Sequence, residues 1–327
     1  MIVNIQVLRA FAAIIVVLVH AQDWVVKNNF SYGAYEYLTF NVRYWGNFGV
    51  DLFFVISGYI MFMINSKKHR SPVEFLINRI QRIVPIYWLL TFVLFVLYLA
   101  LPSLFRVSGY NLEHVVTSLF FVSHFFGYEV PAVYVGWTLE YELFFYLIFA
   151  LTLFIKTKDI YRLSLLTIVF ISAIYANWYS PIAIEFLYGG AIFIFFNHFQ
   201  DLKNYKSNLF WLPLILAIGF VIYHANINQS ERYIYWGIPS AIIVCSAMLV
   251  HSINNKLLIE LGNASYSIYL IQVFGLPMMT KILIKLTPNM SGIYVFAIIS
   301  IFSIIVGYIF YRLIETNINH LFRKKLL

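Results

Sequence analysis

Apolar stretches of about 18 residues or more recur along this chain, each long enough to cross a hydrocarbon core of roughly 30 Å as a helix. That feature leaves few folds open. Lipid offers no partner to an exposed backbone N–H or C=O, so such a chain must form helices that pair their own backbone groups. The composition agrees. The 327 residues are 62% hydrophobic, 20% aromatic and only 11% charged, far from the ordinary globular balance. The expected fold class is all-α: a polytopic transmembrane helical bundle forming one membrane domain over residues 1–327.

Hydropathy places about ten spanning helices, at 8–24, 47–65, 84–101, 135–155, 160–177, 182–198, 209–224, 233–252, 261–282 and 292–313. The apolar stretch 114–126 is too short to join them and reads as re-entrant or interfacial. With the N-terminus inside, this map puts 16 of the 22 Lys and Arg residues on the inner side, Lys68, Arg70 and Lys325 among them. Both termini are then cytoplasmic. A crossing at 114–126 would have turned "KTKDIYR" and "DLKNYK" outward and weakened the asymmetry. The first stretch lacks a basic leader and continues into "DWVVKNNF", so it reads as a retained helix and not a cleaved signal. The net charge of +8 lies mostly in short loops, where it sets topology, and nucleic acid is not an expected partner. The single cysteine, Cys245, forms no intramolecular disulfide and supplies no metal-ligand spacing.

Ionisable residues at membrane depth are costly unless partnered, which makes each a candidate functional group. Arg9 and His20 lie 11 residues apart, so they share one helix face and stand about 16 Å apart along the axis. Two readings stand side by side: a snorkelling anchor with an interior histidine, or a polar path leading inward from the cytoplasmic surface. Asp51, one turn into the second helix, and Glu142, deeper in the fourth, join His20 in the outer half. Asp51 also fits a helix N-terminal acid favoured by the dipole. Glu140 and Glu185 read as interfacial. On the inner side, "NRIQRIVPIYW" sets Arg79 and Arg82 three residues apart before a proline suited to starting a helix. Paired guanidiniums suit phosphate oxygens, and they equally suit topology anchoring. Together these groups suggest transfer across the bilayer, from a phosphorylated donor within to an acceptor without. No G-x-S-x-G, H-E-x-x-H or Walker loop competes.

Along nearly its full length the chain resembles the acyltransferase family 3 membrane proteins, bacterial O-acyltransferases of envelope and exported polysaccharides. An R-x10-H pattern appears as Arg9 and His20, and "GVDLFFVISGY" matches the second-helix motif. Arg79 and Arg82 form the R-x-x-R, "WTLEYELFFY" places the family's acid at Glu142, and "LGNASYSIYLIQ" resembles the late motif. Gln272 stands where that late motif commonly ends in histidine, and Thr316 and Asn317 replace a frequent basic residue and proline. The resemblance implies acyl-CoA, usually acetyl-CoA, as donor and a sugar hydroxyl as acceptor, with His20 catalytic.

The expected protein is therefore a multi-pass enzyme of the bacterial inner (cytoplasmic) membrane, in contact with membrane lipids and using no metal. Arg9, Arg79 and Arg82 would hold the CoA phosphates. His20 would act as general base toward a glycan or lipid-linked sugar, with Glu142 or Asp51 orienting its imidazole. A transporter or flippase of a lipid-linked sugar or small acylated metabolite is the alternative, and a structural subunit of a polysaccharide synthase is a third.

Overall fold

Every one of the ten apolar stretches is helical in the computed structural model of the chain, which describes residues 3–30, 42–67, 71–102, 111–203 and 205–324. Lys68, Arg70 and Lys325, counted above as inner cations, lie outside the described residues. Among the described residues there is no strand. In chain order the helices are α1 (Val3–Lys27), α2 (Val42–Trp45), α3 (Phe48–Lys67), α4 (Pro72–Ala100), α5 (Leu112–Leu119), α6 (Trp137–Thr152) and α7 (Asp159–Tyr175). They continue as α8 (Glu185–His198), α9 (Trp211–Tyr223), α10 (Ile238–Leu249), α11 (Lys256–Asn263), α12 (Ser265–Leu286), α13 (Gly292–Phe310) and α14 (Thr316–Lys324).

By length and composition, seven helical stretches among the described residues suffice to cross a membrane: Val3–Lys27, Val42–Lys67, Pro72–Ala100, Tyr134–Thr152, Pro181–His198, Ser265–Leu286 and Gly292–Leu321. The remaining three are shorter, at Asp159–Tyr175, Asn208–Tyr223 and Tyr233–Leu249. The 114–126 stretch is broken. Its helix ends at Leu119, Phe121 takes a left-handed φ of 60°, and a 3-10 turn follows at Ser123–Phe126.

The boundary that departs furthest from the sequence reading is the start of the third spanning helix. It lies at Pro72, not near Pro85, because Ser71 caps the helix through a 3.1 Å bond from the Glu74 N–H and Pro72 occupies the first turn, where its missing N–H is harmless. Pro85 is therefore interior to α4. Arg79 and Arg82 lie on this helix and not in a connecting loop.

The chain divides into two compact units. The first comprises Met1–His69 and Thr157–Tyr308, the second Arg70–Lys156 and Ile309–Leu327. In the first unit α1 packs against α3, α11 and α12, while α3 packs along α8. The α3–α8 joint is backbone to backbone. A Cβ on Gly58 would stand 1.9 Å from the Phe186 carbonyl oxygen, and one on Gly189 would stand 2.0 Å from that of Val55. Small residues permit such closeness, which matters because lipid supplies no hydrophobic drive between helices and packing contacts must hold them. Phe54 and Phe186 stack beside the joint with centroids 4.4 Å apart. At the other end of α1, Asn4 donates to the Ala247 carbonyl at 2.7 Å and accepts from the Ile253 N–H at 2.9 Å.

In the second unit α4 packs against α5, α6 and α14. Phe75 lies 5.0 Å from Phe149, and Tyr87 lies 4.6 Å from Phe121.

Candidate functional site

In the first unit, Arg9 and His20 both ride on α1, which runs unbroken from Val3 to Lys27 and so fixes their axial separation at about 16 Å. Both are partly buried. Asp51 lies in the first turn of α3, as a helix N-terminal acid should, but the dipole is only part of its setting.

Its carboxylate is fully buried and gripped by Arg232, a residue 181 positions away. Arg232 Nε donates to Oδ1 and Oδ2 at 3.1 and 3.2 Å, and Nη2 donates to Oδ2 at 2.6 Å. The same Nη2 reaches the Asn47 carbonyl at 2.8 Å, just before α3 begins. The guanidinium also lies over the Trp236 ring, 5.0 Å from its centroid. A guanidinium with forked donors matches a carboxylate in this way, and the several bonds offset part of the cost of removing both ions from water. Glu185, at the start of α8, is fully buried beside this pair. Its position differs from the interfacial one expected of it.

Sequence reasoning did not find Arg232. It sits in "ERYIYWG", a segment whose aromatics mark an interfacial belt, and nothing local announces a partner on α3. The available signal was generic: an arginine at the edge of an apolar stretch needs an acid partner once it is buried.

The second unit holds Arg79, Arg82 and Glu142. Arg79 and Arg82 are helical on α4, with Arg79 buried and Arg82 exposed. Glu142 accepts from the Tyr146 hydroxyl one turn along α6. Glu140, also expected at an interface, is buried and accepts from the Ser123 N–H at 3.0 Å. Ser123 Oγ in turn bonds Ser118 Oγ at 3.2 Å, and Ser118 Oγ accepts from the Ala132 N–H at 2.8 Å. This network pins the broken 114–126 segment to α6 and satisfies backbone groups that a continuous helix would have paired itself.

The two units thus present separate sets of the expected residues: Arg9, His20 and Asp51 in one, Arg79, Arg82 and Glu142 in the other. Among the described residues no group of three or more His, Cys, Asp or Glu side chains is arranged to hold a metal ion.

Comparison with known proteins adds the family. The model of the acyltransferase domain of acyltransferase family 3 matches residues 2–312. The exopolysaccharide production protein ExoZ of Rhizobium meliloti (strain 1021) is 32% identical over 267 residues, which cover 72% of this chain and 78% of the relative. No solved structure matches the chain. With the family model covering nearly the whole chain and a relative of this similarity aligned over most of it, the chain belongs to acyltransferase family 3 and is an acyltransferase.

Proposed function

We propose that the chain, acting as one acyltransferase domain over residues 1–327, moves an acetyl group from cytoplasmic acetyl-CoA to a hydroxyl of an exported or cell-surface polysaccharide. The observation that carries this reading is the R-x10-H pair on one uninterrupted helix of a family member whose relative is an exopolysaccharide production protein. Its place is the bacterial inner membrane, with ten crossings and both termini cytoplasmic. The asymmetry of Lys and Arg supports that topology.

In this mechanism His20 takes the proton of the acceptor hydroxyl as its oxygen attacks the thioester carbon, the C–S bond breaks, and His20 passes that proton to the CoA sulfur, which restores the neutral imidazole and releases CoA as the thiol. Arg9, Arg79 and Arg82 bind the CoA phosphates, where guanidinium forks match phosphate oxygens. Glu142 supports the imidazolium electrostatically. Asp51 acts at one remove, since its carboxylate is taken up by Arg232.

Purified protein supplied with radiolabelled acetyl-CoA and deacetylated exopolysaccharide should release CoA and label the glycan. Carriage of the sugar with the thioester left intact would favour a transporter and overturn the reading. Arg79→Lys and Arg82→Lys keep the charge but lose the fork, so each should raise the KM for acetyl-CoA several-fold at unchanged topology. Normal donor binding in both variants would reduce these arginines to topology anchors.

A further inference from the structure

Beyond His20, the end of α1 opens into a cleft of about 550 Å³, within the size range of small-ligand sites. Asn28, Asn29 and Phe30 line one side, and Pro288, Asn289 and Ser291, between α12 and α13, line the other. All six belong to the first unit.

Each side is a turn that its own sequence holds. Asn29 ends α1 in a left-handed conformation, φ 56°, which asparagine adopts more readily than most residues, and the Phe30 N–H closes the turn on the Val25 carbonyl at 3.2 Å. Asn28 is tied down as well, its Nδ2 donating to the Trp24 carbonyl at 2.6 Å. Opposite, Pro288 and Asn289 occupy the middle of a tight turn in which the Met290 N–H donates to the Thr287 carbonyl at 3.1 Å, and the fixed φ of proline suits that place. A ligand meets walls that are already formed.

The lining narrows the ligand. Among the described residues that line the cleft no side chain is charged, so it holds no counterion for an anion or a cation. It presents three carboxamides and a hydroxyl, groups that both donate and accept, beside the apolar side chains of Ile284 and Met290. Asn29 and Asn289 are exposed, and neither side chain makes a hydrogen bond among the described residues. Hydroxyls that both donate and accept, carried on rings with apolar C–H faces, complement such a lining. That is the chemistry of an uncharged sugar.

Position sets the role. Asn28 directly follows the last residue of α1, eight residues past His20 and about 12 Å further along the axis. That distance exceeds one sugar ring, so a ring in the cleft is not the one presented to His20.

We propose that the cleft is a remote acceptor subsite, which holds an uncharged sugar residue of the polysaccharide while a neighbouring residue of the same glycan reaches His20. It rests on the acetyl transfer proposed above and on the topology that turns this end of α1 outward.

Binding and transfer are read separately. Tritiated, uncharged fragments of deacetylated exopolysaccharide, in a series from a single sugar residue upward, are titrated against the full-length protein in lipid nanodiscs without donor, and CoA release is then followed with the same fragments. Wild-type affinity should rise at least about tenfold once a fragment is long enough to reach both the cleft and His20. Asn29→Gly removes one amide and keeps the left-handed turn, and Asn289→Ala removes another from an exposed position. Each should weaken the long fragments several-fold, the two together about tenfold, and leave the shortest fragment unchanged. An affinity that ignores fragment length in the wild type, or a loss in the variants shared equally by short and long fragments, overturns the subsite. So does unchanged binding of the long fragments in both variants. If binding depends on length and on these amides while no CoA is released, the subsite stands and the transfer reading falls. If CoA is released and neither length nor amides matter, the transfer reading stands and the subsite falls. The length dependence of the wild type decides without any variant, so a failure of either to fold leaves the test intact.

Discussion

Replacing His20 by alanine exchanges a polar residue for one that inserts into a membrane more readily, so His20→Ala should reach the membrane in normal amount. Transfer to the glycan should nevertheless fall by at least two orders of magnitude, the usual scale of a lost general base. Retention of near wild-type transfer would remove His20 from the chemistry. Arg232 presents the opposite case, a residue whose loss should be felt first in stability. Arg232→Ala leaves Asp51 buried without its guanidinium, and breaking a buried pair from one side costs about 3–5 kcal/mol. A thermal midpoint in detergent that matched the wild type would show the pair to be dispensable. The two residues also differ in how legible they were. His20 stands out because a histidine inside an apolar stretch is conspicuous and its spacing from Arg9 is fixed by one helix. Arg232 does not, because its meaning depends on an acid 181 positions away.

Helices in lipid lack the polar face that tells a soluble helix which way to turn, since both the lipid and the protein interior accept apolar side chains. Existence and approximate extent were accordingly plain in the sequence, while contacts were not. Gly58 and Gly189 show the consequence. Each faces main-chain atoms of the partner helix, which cannot swing aside, so Gly58→Leu or Gly189→Leu should separate α3 from α8 and cost about 3 kcal/mol or more in stability. Gly219 on α9 has no atom within 4 Å of its Cβ position, so Gly219→Ala should be neutral or stabilising by up to about 1 kcal/mol. Equal tolerance at all three positions, measured by thermal denaturation in one detergent, would contradict the close α3–α8 joint. The start of α4 carries a related lesson. Pro85 is a plausible first residue of a helix, yet Ser71 with Pro72 makes a capped start 13 residues earlier, and the apolar pattern alone did not rank the two prolines.

For the whole molecule the number of crossings decides which side of the membrane each loop faces. Seven stretches among the described residues suffice by length and composition, and three further helices of 16–17 residues would span about 24–26 Å each. An even count returns the C-terminus to the side of the N-terminus and an odd count does not. Single cysteines in a Cys245→Ser background should label from outside intact cells at Asn28 and Asn228 and be protected at Lys158. Outside labelling at Lys158 would reverse that loop and move the donor site to the wrong compartment. The sequence by itself determined the all-helical membrane fold, because lipid forces every backbone group into internal pairing and the apolar stretches leave little chain for anything else. It also determined the Arg9–His20 spacing, which a single helix fixes. Only the tertiary structure decided that Asp51 answers to Arg232, that Glu185 is buried and not interfacial, and that Glu140 secures the broken 114–126 segment. The physical reason is common to all three: a buried charge takes its partner from whichever helix packs against it, and in lipid that choice is made by close fit between helices distant in sequence.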